Sequence, residues 1–182
     1  MEYQVIRSAR RTLALEITAS GEVLVRAPYR ISARQIQAFV EKHRSWIEKK
    51  LALRNASVRD VEVLSEEELK ALAREACDVI PGRVAYYASL IGVTYGRITI
   101  RCQKTRWGSC STKGNLNFNC LLMLAPAEVL DSVIVHELCH RKEMNHSARF
   151  YAEVLKVFPE YHRWHQWLKE HGAALQARAG SC

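Results

Sequence analysis

A chain of 182 residues, 48% of them hydrophobic, is long enough to bury its own core and lies near the size of one domain with a small appendage. It lacks the run of about 18 apolar residues that a membrane span needs, and the stretch around Arg7, Arg10 and Arg11 lacks a signal-peptide core, so no membrane contact and a cytoplasmic location are expected. The formal charge of +8 is uneven, with 12 Lys/Arg against 6 Asp/Glu in residues 1–60 and 15 against 13 in residues 61–182, which makes the basic N-terminal third the place to expect any nucleic-acid or acidic-protein contact.

In chain order, residues 3–17 and 22–27 alternate apolar and polar side chains around a Ser20-Gly21 turn, the pattern of a β-hairpin. Ser32 with Gln35 forms a capping box for a helix carrying Ile36, Phe39, Val40, Ile47 and Leu51 on one face, with Arg34, Lys42, Arg44 and Lys49 opposite. Residues 54–64 lose the helical pattern and read as a connector, after which Ser65 and Glu68 make a second capping box. The boundary therefore falls near residue 60, between a basic ββα extension over 1–60 and a main domain over 61–182.

The helix that starts near residue 66 is expected to break or kink at Pro81-Gly82, because proline removes a backbone donor and clashes with the preceding turn. A short strand over 97–102 follows. Lys113-Gly114-Asn115 then forms a turn into Leu116–Leu122, where Leu116, Phe118 and Cys120 alternate with Asn117 and Asn119. Lying just before the next helix, this strand is expected to form the rim of a cleft to which an extended substrate adds by backbone pairing. The six cysteines, Cys77, Cys102, Cys110, Cys120, Cys139 and Cys182, include no CxxC pair and are read as reduced thiols.

Residues 126–140 read as a helix, with Pro126 in its first turn and an apolar stripe of Val129, Leu130, Val133, Ile134 and Leu138. It contains His136-Glu137-Leu138-Cys139-His140, an HExxH motif. Residues four apart on a helix differ by only about 40° around its axis, so His136 and His140 can converge on one Zn2+ ion, while Glu137, displaced by about 100°, lies beside the open coordination position as a general base. A buried histidine pair beside a carboxylate is costly unless something such as a metal satisfies it.

A catalytic zinc takes a third protein ligand. His146 follows in Asn145-His146-Ser147; a continuous helix would carry it away from His140, so the chain must turn, with Ser147 capping a further helix that bears Phe150, Val154, Leu155 and Phe158. The spacing equals that of the metzincin pattern, except that Glu143 stands where that pattern has glycine. The alternative third ligand is a carboxylate on a following helix, Glu153 or Glu160. Arg106, Tyr151, Tyr161 and His162 are candidates for oxyanion stabilisation, while His162, His165 and His171 otherwise read as packing residues of an aromatic final helix.

Taken together, Ile6-Arg7-Ser8, Trp46-Ile47, Thr105-Arg106-Trp107-Gly108-Ser109-Cys110, the HExxH segment and Asn145-His146-Ser147 resemble the YgjP-like metallopeptidase domain, a relative of SprT-type and other small HExxH zincins. The resemblance implies an α+β, zincin-like metallopeptidase domain over 61–182 with a small β-sheet above an active-site helix. It also implies His136, His140 and His146 as zinc ligands, Glu137 as catalytic base, and a polypeptide substrate cleaved without a covalent intermediate. The competing expectation is a zinc-stabilised nucleic-acid-associated or protein-binding module without peptidase activity. Structural zinc sites are normally closed by four protein ligands, which favours the enzyme.

Overall fold

The computed structural model describes residues 2–18, 21–58 and 61–180, the last six of the middle segment by backbone alone. The chain divides into two compact units, Met1–Asp60 and Val61–Cys182, and its overall class is α+β.

In the first unit, β1 (Gln4–Ser8), β2 (Ala14–Ile17) and β3 (Val23–Pro28) form a sheet in the order β1-β3-β2. Only β2 and β3 make the expected hairpin; β1 pairs parallel with the far edge of β3. The single strand expected over 3–17 is thus divided, because Ala9 to Thr12 interrupt the apolar alternation and release the chain to cross the sheet. Gly21 turns the hairpin at φ 88°, donating to the Thr18 carbonyl at 2.9 Å. Ser20, the other expected turn residue, lies outside the described residues.

Val23, Val25 and Ala27 of β3 bury one face against Ile36, Val40 and Ile47. These last three belong to α1 (Ala33–Lys42) and α2 (Arg44–Val58), two helices where one was expected. The break falls at His43, whose φ of −105° leaves the helical range. Ser32 does form its capping box with Gln35. Beyond residue 54, where a connector was expected, α2 continues to Val58; helix formers such as Leu51, Ala52 and Leu53 favour a helix without supplying an apolar stripe.

In the second unit, α3 (Glu66–Ile91) opens on the Ser65–Glu68 capping box and runs unbroken for 26 residues through Pro81. The expected break does not occur. Pro81 and Gly82 lie on the exposed face, and so does Cys77, whose carbonyl loses its helical donor, so water can satisfy it. On the opposite face, Ala76, Ile80, Val84 and Ala88 pack into the main core and keep the helix continuous through the proline.

A second sheet, β4 (Ile98–Arg101), β5 (Gly108–Cys110) and β6 (Leu116–Asn119), has the order β4-β6-β5. A 3-10 helix (Cys120–Leu124) leads into α4 (Ala127–Cys139), followed by α5 (Ala148–Val157) and α6 (Tyr161–Ala177). Leu116, Phe118, Leu122, Ile134, Leu138 and Phe150 form much of the core between sheet and helices.

The place of β6 overturns its expected role as the rim to which substrate adds. It is the interior strand, parallel to β4 and antiparallel to β5, so neither edge is free for another chain. Its amides serve the fold instead. Asn117 donates to Ser109 Oγ at 3.1 Å. Asn119, 1% exposed, donates through Nδ2 to the carbonyls of Gln103 and Arg106 at 2.7 and 3.0 Å, and its Oδ1 caps the 3-10 helix by accepting from Leu121 N–H.

One cysteine also departs from the all-thiol expectation: Cys102 is disulfide-bonded, whereas Cys77, Cys110, Cys120 and Cys139 are free. Among the described residues no helix is long and apolar enough to cross a membrane.

Candidate metal centre

Nearly every residue of α4 from Val129 onward is buried, so the helix brings its motif into the unit's interior. His140, 8% exposed, is the C-cap residue. Here Arg141, Lys142 and Glu143 N–H groups fold back onto the Leu138 and Cys139 carbonyls. Arg141 then ties the departing chain to the carbonyls of Thr94 and Thr112 at 3.0 and 3.1 Å. Ser147 caps α5 by accepting from Phe150 N–H, and the buried Phe150 ring packs 4.6–5.0 Å from the three imidazoles.

The turn brings His146 back to α4. One ligand atom from each of His136, His140 and His146 lies within 4.8 Å of the others, and the Nε2 atoms of His136 and His146 are 3.0 Å apart. Two nitrogens on a tetrahedral zinc, at about 2.0–2.1 Å each, stand roughly 3.3 Å from one another, so the cluster has the dimensions of a metal site. Burial, reinforced by the neighbouring histidines, pushes the His136 pKa down to about 3, and burial also lowers that of His140. Both are therefore neutral imidazoles at pH 7, the form a metal requires.

The far sides of the rings are also held. His140 Nδ1 faces the Glu143 carbonyl at 3.1 Å, and since a carbonyl only accepts, that nitrogen carries the proton and Nε2 is left free. His136 Nδ1 meets the Tyr161 hydroxyl at 2.8 Å, and this hydroxyl stands 3.4 Å from His165 Nδ1. Tyr161 therefore sits behind a candidate ligand as a positioning residue. Replacing it by phenylalanine is expected to weaken metal affinity by roughly 10- to 100-fold with little effect on folding, measured by competition against a chromogenic chelator.

Glu137, 6% exposed, lies against the sheet. Burial raises its pKa to about 7, opposed by the Arg106 charge and a hydrogen bond from the Cys110 backbone. A Cβ on Gly108 would stand 2.8 Å from Cγ and Oε1 of Glu137 and 3.0 Å from Val133 Cγ1. Only glycine lets β5 come this close, which gives the Trp107-Gly108-Ser109-Cys110 segment its physical reason. A cavity of about 190 Å³ opens beside Glu137 and His136, walled by Arg106, Trp107, Val133 and Leu168 among others.

The competing carboxylates are engaged elsewhere. Glu153 pairs with Lys142 at 2.6 Å and Glu160 with Arg163 at 3.0 Å. Of the oxyanion candidates, Arg106 and Tyr161 line the cavity, whereas Tyr151 and the exposed His162 do not. His165, read from the sequence as a packing residue, lines it as well; its spacing of four from Tyr161 on one helix was the available signal.

Against known families, the chain matches the YgjP-like metallopeptidase domain over residues 11–71 and 59–171. No curated protein matches it. Two solved structures are similar to it in part. The metallopeptidase zymogen abylysin of Pyrococcus abyssi is 23% identical at a TM-score of 0.46, over 50% of this chain and 94% of that one. The metallopeptidase zymogen jannalysin of Methanocaldococcus jannaschii is 23% identical at 0.45, over the same 50% and 94%.

Proposed function

Because the chain belongs to the YgjP-like metallopeptidase domain family, a peptidase family that works with a metal ion, we propose that it is a zinc-dependent metalloendopeptidase. In this reading His136, His140 and His146 hold the metal and Glu137 is the general base. The observation that carries it is the convergence of three imidazole ligand atoms within 4.8 Å at the end of the helix that also presents the buried carboxylate of Glu137. Among the described residues three candidate ligands rather than four gather there, which leaves a coordination position open, the arrangement of catalytic rather than structural zinc.

When bound, zinc supplies Lewis acidity to the scissile carbonyl and acidifies water towards a pKa of about 7. Glu137 accepts the proton of the attacking water and returns it to the leaving amine nitrogen. Gly108 and the Cys110 N–H fix the carboxylate's place. An extended substrate pairs with β5, the edge strand beside the cavity, in place of the interior β6. The basic first unit supplies long-range attraction for acidic protein or nucleic acid, read as binding that weakens with salt.

The test is cleavage of casein and of a peptide library before and after chelation. Activity is expected to vanish with the metal and return with stoichiometric zinc. Cleavage that survives complete demetallation overturns the reading, and a zinc-loaded protein that cleaves nothing favours a binding module.

A further inference from the structure

Besides the candidate ligands and base, the cavity contains one permanently charged group, Arg106. We propose that Arg106 anchors a substrate carboxylate one residue from the scissile bond, carried either by an acidic side chain or by a free C-terminus. This rests on the peptidase reading of the same site.

Arg106 has the chemistry and the freedom for that task. Its guanidinium offers five donors in a planar fork that fits a carboxylate in bidentate fashion. None of the ion pairs among the described residues includes it. Glu137 is the single acidic residue in the cavity wall; it feels the Arg106 charge at a distance, but its hydrogen bond comes from the Cys110 backbone and it forms no ion pair with Arg106.

The residue is exposed at the cavity, within reach of a ligand, and its backbone is tied to β6. Asn119 holds the Arg106 carbonyl at 3.0 Å, and the Asn119 N–H donates to the neighbouring Trp107 carbonyl at 2.9 Å. The walls supplied by Trp107, Val133 and Leu168 are apolar, which strengthens an ionic contact made against them. Because the cavity opens directly beside Glu137 and His136, a group that fills it belongs to a residue next to the bond being cleaved.

The experiment compares matched peptides differing in one carboxylate: Asp or Glu against Asn or Gln after the scissile bond, and free-acid against amidated C-termini. The zinc-loaded wild type is expected to prefer the acidic member by about 10-fold in kcat/KM, the lower end for a charge-assisted contact at an exposed residue. Arg106→Gln removes that preference by slowing acidic members about 10-fold more than neutral ones, and Arg106→Lys restores part of it. Preference following the side chain identifies an acidic residue as the ligand; preference following the terminus identifies a free C-terminus.

Equal losses on acidic and neutral peptides overturn the proposal, as does a wild type without preference. Calorimetric binding of the same peptides to zinc-loaded Glu137→Gln supplies a readout independent of turnover. An Arg106-dependent affinity difference there upholds the carboxylate site, and only if the zinc-loaded wild type also cleaves no peptide is the peptidase reading rejected while the site stands. Equal affinities reject the site.

Discussion

Glu137→Gln is expected to lower peptide cleavage by roughly 10² to 10⁴, the range general-base catalysis commonly supplies, while zinc content and thermal stability stay near those of the wild type. The physical case rests on packing. The side chain is 6% exposed and lies, like Val133, directly against Gly108 of β5, so a substitute must match its shape. Glutamine does so, and its carbonyl oxygen still accepts the Cys110 N–H. What it lacks is the lone-pair basicity to take a proton from water. Metal stoichiometry by mass spectrometry and the cleavage rate of one peptide, measured on both proteins, separate the two properties. A variant that loses zinc makes Glu137 a ligand, and one with full activity removes it from the mechanism.

The second large effect concerns His146. His146→Ala is expected to weaken zinc binding by more than the roughly 10- to 100-fold that losing an outer hydrogen-bond partner costs, because it removes a direct ligand. Folding is expected to persist, since His146 is exposed and the α5 cap belongs to Ser147. Glu153→Ala and Glu160→Ala remove exposed or half-exposed ion pairs, which contribute little stability, and both variants are expected to keep their zinc. Zinc titration of the three variants decides the ligand set. If Glu160→Ala loses the metal and His146→Ala keeps it, a thermolysin-like arrangement replaces the three-histidine one.

What the sequence made legible was local. Each capping box, Ser32 with Gln35 and Ser65 with Glu68, involves partners three residues apart, and both formed. The α4 helix was equally plain, because one stripe of apolar residues and one motif share its 3.6-residue period. The gathering of His136, His140 and His146 followed from spacing and a turn between helices.

The errors came from long-range pairing. Nothing in Gln4–Ser8 tells that it joins β3 in parallel, since that register is set across the sheet. The alternation of Leu116 to Cys120 announced a strand but not its neighbours, so a cleft rim was expected where Asn117 bonds Ser109 of β5 and Asn119 holds the loop before it. Three-residue β5 was too short to show a period. Pro81 misled because local backbone preference was weighed without the packing of Ile80 and Val84 that overrides it.

Asn119 has a consequence for how such a peptidase changes its diet. Its side chain measures the loop before β5 at two carbonyls, Gln103 and Arg106, and Gly108 must then arrive opposite Glu137 with no Cβ to spare. Slipping β5 by one residue would bring Trp107 or Ser109 to that position, and either carries a Cβ that the carboxylate has no room for. The loop therefore tolerates exchange of side chains but no change of length. Lys104, Thr105 and Arg106 are its exposed positions, and substitutions there can rewrite which peptides enter while the base beneath keeps its place. Diversification in this fold is expected to appear as point substitutions at those three residues, and insertions to accumulate elsewhere.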